Sequence, residues 1–114
     1  MERERDIESW IRVRIVDMGG LFWKITSPGN AGVPDRLVIL PGGGLTFMEI
    51  KTADGELSEI QEYQIAQLQK RRIPVVVIYG MEQAQEYVRI LRKLTPVLQM
   101  KGRRGFYNKG GDAE

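Results

Sequence analysis

The sequence predicts a single α/β (α+β) domain, a mixed β-sheet flanked by helices in the order αβββαβα. Three observations carry that expectation. Apolar residues at helical spacing open the chain and recur in two later segments. Short β-branched and aromatic runs, bounded by Gly, Pro and Asn, lie between them. The 114 residues are 42% hydrophobic and 28% charged, values that suit one globular domain able to fold without staples.

Residues 3–18 read as a helix. Ile7, Trp10, Ile11, Val13, Ile15 and Met18 form a broad apolar face, and Gly19-Gly20 stops it. Glu8 shares a helical row with Ile11 and Ile15, so it borders the buried face. Leu21 to Thr26 reads as a strand, and the Ser27 to Pro34 segment is turn chemistry throughout. Arg36 to Leu40 is a short apolar strand, Pro41 to Gly44 a tight reversal, and Leu45 to Lys51 the returning strand of a hairpin. Ser58 is placed to cap a helix running to about Arg72. Val75 to Tyr79 is a continuous apolar run, as in a strand covered on both faces. Glu82 to Leu94 carries Ala84, Tyr87, Val88 and Leu91 on one helical stripe. Thr95-Pro96 is expected to break that helix, giving a domain over residues 1–94 and a loosely ordered, basic, glycine-rich tail over 95–114. Trp10 and Trp23 both fall on apolar faces and are expected to pack in the core.

Composition removes whole classes of chemistry. The chain has no Cys and no His. That excludes disulfides, thiolate nucleophiles, Ser-His-Asp triads and the usual zinc and iron ligands. Catalysis would have to use carboxylates, Lys, Tyr, Ser or Thr, or a hard cation held by oxygen. No apolar run approaches the ~20 residues of a membrane span. The N-terminal run from Met1 to Asp6 mixes charges and does not resemble a signal peptide, so a cytoplasmic protein with no membrane partner is expected. The net charge is +2, and all of the excess comes from Lys101, Arg103, Arg104 and Lys109 set against Asp112 and Glu114 in the tail. The body is neutral, unlike that of a purely electrostatic nucleic-acid binder.

Four features of the sequence can converge. Pro34-Asp35 begins one strand of the hairpin and Glu49-Ile50-Lys51 ends the other, so pairing brings them to one end of the sheet. Period-two alternation points Glu49 and Lys51 the same way. Glu8 borders the first helix, and Gln61 lies one turn into the second. Convergent carboxylates stay ionised only with a compensating cation. Without His or Cys, the fitting cations are Mg²⁺ or Mn²⁺, which suit phosphate chemistry. A nearby Lys can stabilise charge that develops there.

These residues resemble the PD-(D/E)XK nuclease superfamily, and the details resemble its VRR-NUC branch. The likeness rests on an early helical Glu8, Gly32-Val33-Pro34-Asp35, Phe47-Met48-Glu49-Ile50-Lys51 and Leu57-Ser58-Glu59-Ile60-Gln61, and spans residues 4–94. It implies a restriction-endonuclease-like core and a Mg²⁺- or Mn²⁺-dependent, structure-selective DNA endonuclease. Homodimeric members of this kind cut four-way (Holliday) junctions, so branched DNA and a second copy of the chain are the expected partners. By the same likeness Asp35, Glu49, Lys51 and Gln61 are catalytic. Glu8, Asp35, Glu49 and the Ile50 carbonyl hold metal. Lys24, Arg36, Lys101, Arg103 and Arg104 are candidate nucleic-acid contacts.

Plainer readings stand beside these. Glu49 and Lys51 could be a same-face surface ion pair, and Glu8 a first-turn acid favoured by the helix dipole. Gln61 could fold back onto the Ser58 N–H in a capping box, a role compatible with the catalytic one, and Gln64 is its rival one turn on. A monomeric flap or single-strand nuclease, and a non-catalytic DNA-binding domain of the same fold, are the alternative functions.

Overall fold

A computed structural model describes residues 2–101, with side chains described through Leu94. The elements are α1 (Glu4–Asp17), β1 (Leu21–Lys24), β2 (Arg36–Ile39), β3 (Leu45–Lys51), α2 (Glu59–Lys70), β4 (Val75–Tyr79) and α3 (Gly80–Lys101). Their order is the one expected from the sequence. The strands form one sheet in the order β1-β2-β3-β4. β1–β2 and β2–β3 are antiparallel, and β3–β4 is parallel, with α2 as the crossover.

The core forms where α1 and α3 cover one face of the sheet. Ile7, Ile11 and Ile15 follow one another at a spacing of four and are all 0% exposed. They pack on the side chains that the pleat turns the same way, Phe22, Val38, Met48, Ile50, Val76 and Ile78, together with Ala84 and Leu91 of α3. Each fully buried Ile contributes up to about 3 kcal/mol relative to remaining exposed. Gly19, at φ +86°, lets the chain leave α1 in the left-handed region, where the Gly20 N–H bonds the Ile15 carbonyl at 2.9 Å.

The second face is less covered. α2 packs over β4, burying Ile65, but does not reach β1. Trp23, expected in the core, is therefore 50% exposed, and Leu21 and Leu45 are also exposed. Val13, placed on the apolar face of α1 by its spacing, points to solvent, because the buried stripe is narrower than the apolar sequence suggests. Trp10 is partly buried against the core.

The boundaries differ at their ends. β1 stops at Lys24 and β2 at Ile39, although single hydrogen bonds from Ile25 N to Asp35 O (2.9 Å) and from Leu40 N to Gly44 O (2.7 Å) carry the pairing one step further. The third helix runs straight on from β4 at Gly80 and passes through Thr95-Pro96 to Lys101. A proline inside a helix forfeits one backbone bond and strains the preceding turn, but its fixed φ is itself helical. Among the described residues no helix is long and apolar enough to cross a membrane.

Candidate active site

The site exists because β3 is longer than β2. Their pairing runs from Ile39↔Leu45 to Arg36↔Met48, so Glu49, Ile50 and Lys51 have a strand neighbour only on the β4 side. Extending the register by one residue sets Asp35 opposite Glu49. There Glu4 and Glu8 from α1 meet Asp35, Arg36, Glu49 and Ile50 around a small cavity of about 50 Å³.

The loop before β2 is held in place on several sides. Pro34 is fully buried, and the Asp35 carbonyl accepts from Ile25 N. Gly32 lies at φ +87°, and a Cβ there would sit 2.7 Å from the Ile60 carbonyl oxygen, so only glycine lets this loop lie against α2. Gln64 donates to the Ala31 carbonyl at 3.1 Å. That contact ties α2 to the loop and does not reach the carboxylates.

Glu49 is the buried acid of the site, 9% exposed. Burial pushes its pKa up, and the Asp35 charge adds to the rise; Lys51 and Arg36 partly offset it. The Lys51 ammonium lies 4.0 Å from Glu49 Oε2. Gln61 Nε2 donates to the same oxygen at 3.2 Å, while Gln61 Oε1 accepts from Ser58 N at 2.9 Å. Gln61 thus caps α2 and touches Glu49 at once, because its amide has both an acceptor and donors.

Arg36 organises the opposite side. Its Nη2 bonds Glu8 Oε1 at 2.6 Å and its Nη1 lies 2.8 Å from Asp35 Oδ1. Arg12 adds a longer contact to Glu8 at 3.5 Å. Burial alone would lower the Arg36 pKa, but the bond to Glu8 and the charge of Asp35 raise it, so it stays cationic. Its Nε is buried and makes no hydrogen bond among the described residues.

The sequence-derived candidates thus fall into groups. Asp35, Glu49, Ile50 and Glu8 line one cavity, with Lys51 and Gln61 on Glu49. Arg36, expected to face nucleic acid, here bridges Glu8 and Asp35. Lys24 is exposed on β1, opposite Arg36 in register. Lys101 ends α3, and its side chain lies outside the described residues, as do Arg103 and Arg104. Glu4 lines the cavity although it was not among the residues expected there. The i, i+4 spacing of Glu4 and Glu8 places both on one row and was the available signal.

The donor set suits a hard divalent cation in kind: carboxylates and a peptide carbonyl, with no sulfur or imidazole. Among the described residues, however, no three acidic side chains stand together as a ready metal-binding cluster. Arg36 stands between Glu8 and Asp35 and already supplies positive charge there.

Comparison with known proteins is consistent with this geometry. No family model matches the chain. A phage protein named "Putative nuclease p44", from Acyrthosiphon pisum secondary endosymbiont phage 1, is 48% identical over 54 residues. That match takes in 47% of this chain and 57% of the phage protein, so it spans little more than half of that relative's length. A solved structure described as a VRR_NUC domain superposes with a TM-score of 0.71 at 29% identity, over 75% of this chain and 94% of the other. In fold and in sequence the chain is therefore similar to a VRR_NUC domain over three quarters of its length.

Proposed function

We propose that the protein is a divalent-cation-dependent endonuclease that hydrolyses phosphodiester bonds in DNA. The observation that carries the proposal is the buried Glu49, opposite Asp35 and flanked by the Lys51 ammonium, at the one place where β3 runs past β2. A buried carboxylate with a raised pKa, next to a second carboxylate and a lysine, is costly for a purely structural site and useful for a catalytic one.

Asp35, Glu49 and the Ile50 carbonyl would hold the cation, Mg²⁺ or Mn²⁺. Glu8 can join them only by giving up its bond to Arg36. When bound, such an ion lowers the pKa of a water and offsets charge on the phosphoryl group. The chain's own residues do the rest. Lys51 lies beside Glu49, where its ammonium can stabilise charge building on the phosphate or orient the attacking water. Gln61 holds Glu49 Oε2 in one orientation, and its own amide is fixed by the Ser58 cap. An Arg36 freed from Glu8 becomes available to a phosphate.

We extend the reading to branched DNA cut by a homodimer, since two-fold symmetry presents two equivalent sites to two equivalent strands. Support for this step is the family likeness. The test incubates wild type and Lys51→Ala with labelled four-way junction, flap and linear duplex, in Mg²⁺, Mn²⁺ or EDTA, and measures the mass in solution. Paired incisions in the junction, lost in the variant and in EDTA, together with a dimer mass, are expected. Cutting confined to flaps by a monomer would remove the junction reading and keep the nuclease. No cutting of any substrate by folded wild type would remove both.

A further inference from the structure

A second concave surface lies on the other flank of α1. It is a groove of about 480 Å³ between α1 and α3, lined by Trp10 and Arg14 on one side and Gln85, Val88, Arg89, Arg92 and Lys93 on the other. Four of these residues are cationic and none is acidic. Arg89 is ion-paired with Glu86, on which Lys93 also acts at longer range, so four lining cations against this one carboxylate leave the groove net positive. Arg14 is not a loose surface arginine. Its guanidinium lies 4.3 Å from the centroid of the Trp10 ring and bonds the Trp10 carbonyl at 3.5 Å, so it is held against the groove wall.

The position of this groove relative to the acidic cavity gives it meaning. On α1 the buried stripe Ile7-Ile11-Ile15 separates two rows. Glu4 and Glu8 lie on one side, Trp10 and Arg14 on the other. The body of the chain is neutral overall, but the two flanks of α1 differ: the cavity side carries Glu4 and Glu8, the groove side Arg14. Acid gathers where a cation would act, and base gathers about 9 Å further along the helix axis, on the opposite flank. A cationic groove with a fixed arginine and two exposed cations complements a line of phosphates.

We propose that the α1–α3 groove is a second DNA-contacting site, which takes the sugar-phosphate backbone of the substrate outside the catalytic cavity. The proposal rests on the nuclease reading, because it needs DNA as the substrate. Trp10 acts here by positioning Arg14 and not as a base-stacking platform, since the guanidinium already covers its ring. The contact reads phosphate and carries no sequence preference.

The test measures equilibrium binding of the full chain to labelled four-way junction and linear duplex in EDTA across a salt series. Wild type, Arg92→Gln/Lys93→Gln and Arg92→Lys are compared, and cleavage is assayed separately. Both substituted side chains are exposed, so the double variant should keep the wild-type melting temperature. It should lose on the order of tenfold in affinity, and its salt slope should fall by about 2. Arg92→Lys, which keeps the charge, should bind like wild type. Unchanged affinity and slope in the double variant, with wild type binding and cutting normally, would overturn the groove and leave the nuclease. A change of oligomeric state without loss of DNA affinity would also overturn it, by showing that the groove meets protein. Failure of wild type to bind any DNA would overturn both readings.

Discussion

The acidic cavity and the basic groove are built from the same helix by opposite means. In the cavity Glu8, Asp35 and Glu49 each have a side-chain partner. Glu8 and Asp35 share Arg36, and Glu49 takes Lys51 and Gln61. Strand ends and a glycine loop hold these groups, so their geometry is set before any ligand arrives. In the groove Arg14 is held by Trp10 and Arg89 by Glu86, while Arg92 and Lys93 stand in solvent. The difference follows from the work each surface can do. Chemistry needs charges fixed to within a fraction of an ångström in a low dielectric. Phosphate attraction needs only the right sign within a Debye length, and flexible side chains supply it.

Substitutions should affect the two regions in separable ways. The largest effect is expected at Lys51. Lys51→Ala should lower the cleavage rate on the order of 10³-fold while DNA affinity in EDTA stays near wild type, measured by single-turnover kinetics and anisotropy. A parallel loss of affinity would merge the two regions into one binding surface. Ile11→Ala, on the stripe between them, should cost about 3 kcal/mol of stability in urea unfolding and loosen both regions together. If only one region suffers, the two are less coupled through α1 than the packing indicates.

Arg36→Met comes next. It leaves Glu8 and Asp35 without their counter-cation, in a setting only partly buried, so the metal-free protein should lose about 2 kcal/mol, less than for a fully buried pair. Mn²⁺ affinity should rise, because the ion no longer competes with a guanidinium; calorimetric titration measures it. Unchanged Mn²⁺ affinity would show that Arg36 does not stand in the ion's place. Gln61→Ala should be the mildest, about 1 kcal/mol for the lost cap with a modest fall in rate. Gln61→Glu should restore the cap bond but set a second carboxylate against Glu49, so stability and rate should part company.

Much of this was legible from residues alone. The helix–strand order followed from apolar spacing and from Gly and Pro punctuation, which act locally. The pairing of Asp35 with Glu49 followed because a hairpin leaves one sensible register. Gln61 as a cap was visible in Ser58-Glu59-Ile60-Gln61. What failed were statements about who covers whom. Trp23 reads as core in a strand of aromatic and β-branched residues, yet α2 lies over β4 and leaves it half exposed. Val13 reads as apolar face, yet the sheet accepts only the Ile7-Ile11-Ile15 stripe. Pro96 reads as a helix end, yet α3 continues to Lys101.

The elements, the donor chemistry and the absence of any thiol or imidazole are already present in the linear chain. These depend on residue type and on spacings of two to four, which the backbone converts directly into faces. Long-range packing set the rest: β3 outruns β2, Arg36 reaches Glu8 from 28 residues away while also binding Asp35, and the acidic gap and the basic groove fall on opposite flanks of α1. Those outcomes depend on how distant elements pack. Packing is set by the summed burial of many side chains, and no local pattern encodes that sum.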